Sequence, residues 1–127
     1  MPTADTVTTS KAAKPVGPYP HARRVGDLLF LSGIGPRHAG TNEIPEGIEA
    51  QTRAVVDNLR AVLEEAGSSL EKILDVTVYL TDMKRDFDRF NKVYAELLGA
   101  IQPTRTTVGV DSLPTPISVE LKVIAAR

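Results

Sequence analysis

Hydrophobic and polar positions change period several times along this chain, and the changes mark its elements. From Ile73 to Leu80, Leu74, Val76, Val78 and Leu80 alternate with Asp75, Thr77 and Tyr79, which predicts a half-exposed strand. Val55, Val56, Leu59, Val62, Leu63 and Ala66 instead follow i, i+3, i+4, i+7 spacing, which predicts a helix that Gly67 ends. A second helix is expected from about Arg85 to Leu98, with Phe87, Phe90, Tyr94, Leu97 and Leu98 on one face and Gly99 after it. Near the start, His21–Val25 and Leu28–Leu31 read as strands joined at Gly26-Asp27. The second of these is apolar at every position, as in a sheet covered on both sides. Ser68 and Glu71 make a capping-box pattern for one helical turn. Pro103 marks the start of a strand near Thr104 and is expected to hold Gln102 extended. After the turn at Leu113–Pro116, Ile117 to Ala125 sets Ile117, Val119, Leu121 and Val123 against Ser118, Glu120 and Lys122.

The predicted order is therefore β-β-α-β-α-β-β. Hairpins at both ends with helices between them favour an α+β layer, a sheet with two helices packed on one face. A chain of 127 residues is one domain. The polar, Thr/Ala-rich residues 1–14 are expected to form a flexible N-terminal arm, leaving 15–127 as the folded unit. Alternation groups Arg105, Thr107 and Gly109 on one face of their strand. The sheet face away from the helices is expected to carry Arg105, Thr107, Glu120 and Tyr79. A face that polar is either open to water or closed by another subunit.

Charge adds exclusions. The net charge is −1, from 15 basic and 16 acidic residues without long runs, so neither a nucleic-acid nor a membrane partner is expected. Cysteine is absent, which removes disulfides, thiolate metal sites and thiol nucleophiles. With no apolar leader or span in view, a cytoplasmic location is the default. The two histidines, His21 and His38, form no spaced ligand set, and Gly33, Gly35 and Gly40 match no nucleotide fingerprint, so no metal or cofactor is expected. Two side chains stand out. Arg105 is either a solvated strand-end charge or a fork that grips a carboxylate through two parallel hydrogen bonds. Glu120, mid-strand, is either an exposed strand residue or a desolvated acid able to handle a proton.

Taken together, several segments resemble the reactive intermediate deaminases, the Rid or enamine/imine deaminase family. They are Gly17-Pro18-Tyr19, Ser32-Gly33, Gln51-Thr52 with Asn58-Leu59, Val78 to Met83, Asn91 with Tyr94, Pro103 to Val108, and Leu113-Pro114 before Val119-Glu120. The resemblance implies a chorismate-mutase-like α+β domain and a homotrimer with three clefts between subunits. The implied activity is cofactor-free hydrolysis of an enamine or imine acid, releasing ammonia. It also implies Arg105 as the carboxylate clamp and Glu120 as the residue orienting water. Tyr19, Ser32, Asn91 and the Gly33 backbone would line the pocket. Thr107 stands there where many members have cysteine. Ser32 to Arg37, Gly40-Thr41-Asn42 and Met83 to Asp86 are similar to the 2-aminomuconate deaminases, whose substrate is a dicarboxylate, and Arg37 would then meet the far carboxylate. The loop between Pro45 and Ile48 is shorter than expected for that branch. A general scavenger of 2-imino acids and a non-catalytic trimeric metabolite-binding module are the competing readings.

Overall fold

Depth of apolar alternation decides which strand takes the centre of the sheet. The computed structural model describes residues 5–127. Its elements are β1 (Thr6–Val7), β2 (Ala22–Val25), β3 (Leu28–Leu31), α1 (Ile48–Glu65), β4 (Ile73–Leu80), α2 (Met83–Leu98), β5 (Thr104–Gly109) and β6 (Val119–Ala126). They build one six-stranded sheet in the order β1-β2-β3-β6-β4-β5. The β4–β5 pair is parallel and the other pairs antiparallel, so the sheet is mixed. β6 has the cleanest alternation and lies inside: Val119, Leu121, Val123 and Ala125 are fully buried on one face, while Glu120, Lys122 and Ile124 take the other.

Both helices pack on the buried face. Val55, Val56, Leu59, Val62 and Leu63 of α1 and Phe90, Tyr94 and Leu98 of α2 share one core with Val76, Val78 and Leu80 of β4. Each such side chain contributes about 1.5–3 kcal/mol on leaving water. This stripe, more than local capping, holds α1, which starts from Gly47 at φ 88° without a side-chain cap. α2 does have a cap: the Asp82 carboxylate accepts the Arg85 N–H at 3.1 Å. No helix among the described residues is long and apolar enough to cross a membrane.

The structure corrects five expectations. Residues 5–14 are not a loose arm: Thr6–Val7 pairs with Ala22–Arg23, and Val7 and Ala12 are buried in the core. Val7 and Ala12 stand too far apart to show a period, and the Thr6–Val7 pairing depends on the edge of β2; residues 1–4 lie outside the described part. β5 and β6 form no hairpin, because β6 inserts between β3 and β4 while β5 runs parallel on the outside of β4. Leu74 is 46% exposed: a register shift between Ile73 and Asp75 buries Ile73 in its place. Gln102 is left-handed (φ 60°, ψ 44°), with its side-chain amide donating to the Gly99 carbonyl at 2.8 Å. β3 is covered on one side, with Leu29 and Leu31 buried but Leu28 and Phe30 each 37% exposed.

Candidate functional site

The register of β4 with its two neighbours fixes where the chemistry lies. Arg105 pairs with Val76 and Thr107 with Val78, and both valines face the helices, so Arg105 and Thr107 share that face. Glu120 pairs with Tyr79 on the opposite face. The expected common polar face is therefore split: Glu120 and Tyr79 lie on the open side, Arg105 and Thr107 on the helix side. Two strand spacings, roughly 10 Å, add to the separation. One chain does not bring Arg105 and Glu120 together.

The Arg105 half-site lies between β5 and α2. The guanidinium carbon sits 4.7 Å from the ring centroid of Tyr94, 5.6 Å from that of Phe90 and 6.0 Å from that of Phe87. Asn91 lies on the same helical stripe, four residues after Phe87 and three before Tyr94. Cation–π contact holds such a charge at an apolar surface without neutralising it. Burial pushes the ionisation of the Tyr94 phenol up; Arg105 pulls it down and Asp75 adds to the rise.

The Glu120 half-site is a cavity where the chain leaves β3. Tyr19, Ser32, Gly33, Arg37 and Glu120 all line it, whereas Arg105, Asn91 and Thr107 do not. Its volume is about 40 Å³, room for a water with polar partners. Burial holds the Glu120 carboxyl above its ordinary range. Gly33 leaves room for the carboxyl: a Cβ there would fall 2.8 Å from Glu120 Cδ and nearer still to Oε2, so the Glu120 side chain would have to move aside. The Ser32 hydroxyl donates to the Pro20 carbonyl at 2.8 Å, so it braces the wall. Arg37 Nη2 donates to the Lys14 carbonyl at 2.8 Å. Tyr19, 41% exposed, stands at the rim. On the strand of Glu120, Lys122 donates to the Leu31 carbonyl.

Three buried polar residues position this cavity, and the sequence reading gave none of them that role. Asn58 on α1 donates to the Gly35 and Arg37 carbonyls (3.0 and 2.7 Å) and accepts the Ala13 N–H (3.0 Å), tying loop and arm to the helix. His21 accepts the Thr9 N–H on Nδ1 (3.2 Å) and donates from Nε2 to the Ala13 carbonyl (2.7 Å), which requires the neutral Nε2–H tautomer. Gln51 accepts the Ser118 N–H at 2.8 Å and so fixes the lead-in to Glu120. A polar residue at a helix's apolar period was the available signal for Gln51 and Asn58. Among the described residues no three His, Cys, Asp or Glu side chains are grouped to hold a metal ion.

The family model described as Endoribonuclease L-PSP matches residues 9–127. A RutC family protein of Pyrococcus abyssi is 43% identical over 124 residues, covering 97% of each chain. TdcF of Escherichia coli K12, whose name assigns it provisionally to the reactive intermediate deaminases, is 35% identical over 95% of each chain. Among solved structures, RidA of an Antarctic Psychrobacter superposes with a TM-score of 0.92 at 36% identity, covering 96% of this chain and 98% of that one. Escherichia coli TdcF, solved with bound serine, superposes with a TM-score of 0.90 at 34% identity, with the same coverage.

Proposed function

The chain belongs to the Endoribonuclease L-PSP family, that of the RutC and Rid proteins, and from that premise we propose that it is a cofactor-independent enamine/imine deaminase acting on a 2-imino acid. Arg105 and Glu120 are its catalytic pair, contributed by different chains of a homotrimer. The observation that carries the reading is the division of labour between the half-sites: a cation on an aromatic seat in one, a desolvated carboxylate beside a water-sized cavity in the other. Neither half is sufficient alone, and their separation within one chain is what a cleft shared between chains requires.

The substrate carboxylate docks on the Arg105 fork. An enamine first takes a proton at carbon and gives one up from nitrogen to become the imine. Water oriented by Glu120 adds to the imine carbon, its proton passing toward the nitrogen. The resulting aminoalcohol collapses to the keto acid as ammonia leaves. One C–N double bond and one water become one carbonyl and one ammonia, with no change in oxidation state. Asn91 and Thr107 border the carboxylate half; Tyr19, Ser32 and the Gly33 backbone border the water half. The serine held by TdcF is a 2-amino acid, in keeping with a carboxylate anchor. The family description names a ribonuclease, but His21 has both ring nitrogens engaged in the fold, and the reading follows Arg105 and Glu120.

A narrower substrate, 2-aminomuconate, is favoured by one observation: Arg37 lines the Glu120 cavity, where a second carboxylate of the substrate would lie. Ammonia release from freshly generated 2-iminopropanoate and from 2-aminomuconate tests both readings. Turnover of the first alone makes the protein a general scavenger, and faster turnover of the second makes it the specialised enzyme. Keto-acid binding with no ammonia from either would instead mark a binding module.

A further inference from the structure

Among the described residues, three buried side-chain oxygens lack a hydrogen-bond partner: Asn91 Oδ1, Tyr94 OH and Thr107 Oγ1. All three residues stand on α2 or β5, the two elements that flank Arg105. Tyr94 forms its aromatic floor, Asn91 shares the helical stripe of Phe87 and Tyr94, and Thr107 follows Arg105 on the same strand face. Thr107 lies opposite the fully buried Val78. Buried oxygens are normally paired, so three unpaired ones on the two elements that flank one guanidinium invite a common explanation.

The guanidinium supplies one. It carries five N–H donors in a fixed plane, and a carboxylate bound side-on takes two of them. Three remain, one for each oxygen, and since Arg105 bonds none of the three oxygens here, the pairing requires the guanidinium to turn as the carboxylate binds. We propose that Tyr94 is a positioning residue for Arg105: its ring seats the guanidinium, and its hydroxyl, with Thr107 Oγ1 and Asn91 Oδ1, accepts the donors that a bound carboxylate leaves free. The inference rests on Arg105 being the carboxylate anchor. Tyr94 acts through Arg105 and does not touch substrate, which agrees with its being 8% exposed. A phenylalanine at this position would keep the seat and lose the orientation. A leucine would lose both.

The test measures pyruvate affinity by titration calorimetry on the assembled protein, together with the Arg105 Nε–H signal in nitrogen-correlated spectra, assigned by its loss in Arg105→Lys. In the wild type, pyruvate is expected to shift this signal and slow its exchange with water. Tyr94→Phe is expected to weaken pyruvate binding about threefold to tenfold, the range for one hydrogen bond, and to reduce the slowing. Tyr94→Leu should cost at least about threefold more, through the lost ring face. Affinity within about twofold of wild type in Tyr94→Phe overturns the proposal. So does weaker binding with an unaltered Arg105 signal, since the effect would then bypass the guanidinium. Wild-type protein that ignores pyruvate, or Arg105→Lys that binds it equally well, defeats the anchor itself rather than Tyr94's part in it.

Discussion

Arg105 and Glu120 each owe their proposed chemistry to what surrounds them. Arg105 is held against three aromatic rings and presents its fork from a surface that does not compete for it. Arg105→Ala should lower kcat/KM for an imino acid by about 10²-fold or more, because the anchor sets the geometry of attack. The loss of ring contact should cost only about 1 kcal/mol of folding stability. Steady-state ammonia release and denaturant unfolding check the two effects separately. Burial favours the neutral form of Glu120 and moves its titration upward. If its carboxylate orients water, the acid limb of kcat/KM should lie above the ordinary carboxylate range, and Glu120→Gln should abolish both the limb and most of the rate. The same shift has a stability sign: the contribution is complete below the unfolded value and is lost as pH rises through the folded one. Glu120→Gln should therefore flatten the fall in stability that sets in as pH rises above the ordinary carboxylate range, measured by urea unfolding. At Gly33 the constraint is steric, and Gly33→Ala, by displacing the Glu120 carboxylate, should reduce kcat while leaving pyruvate affinity near wild type.

At the scale of elements, a single side chain ties several segments together. Asn58 joins α1 to the loop after β3 and to the arm through three hydrogen bonds. Asn58→Ala strands those partners and should cost about 2 kcal/mol or more in urea unfolding, more than a typical surface substitution. Much of the element structure was legible because its signals are local. β4 and the stripes of both helices follow directly from period, β3 from its apolar run after the Gly26-Asp27 turn, and Gly67 and Gly99 mark the two helix ends. What failed depends on distant pairing. Arg105 and Thr107 were grouped together correctly by alternation, but which side of the sheet they face follows from register with β4, which Val76 and Val78 determine across the fold. The bulge that exposes Leu74, and the entry of β6 between β3 and β4, are likewise settled by partners far along the chain. Of the proposed site residues, Tyr19, Ser32, Gly33, Arg37 and Glu120 do gather in one cavity. Asn91, Arg105 and Thr107 belong to another region, and nothing in the local spacing of either group could show that division.

For the whole molecule, the two faces of the sheet are unequal. Helices cover one face, whereas the other presents Leu28 and Phe30 against Ala126 and Ile124, on the same side as Glu120 and Lys122. Association of copies through this face would remove apolar surface from water and give each Glu120 cavity a neighbour. The decisive question is whether Arg105 of one chain serves Glu120 of another. Arg105→Ala and Glu120→Gln, each nearly inactive by itself, can be unfolded together, refolded as mixed assemblies and assayed for ammonia release from 2-iminopropanoate. A shared site predicts recovery to about a quarter of wild-type activity at equal mixing, because about one interface in four then combines both intact residues. Mixed assemblies no more active than the two variants apart would contradict the account.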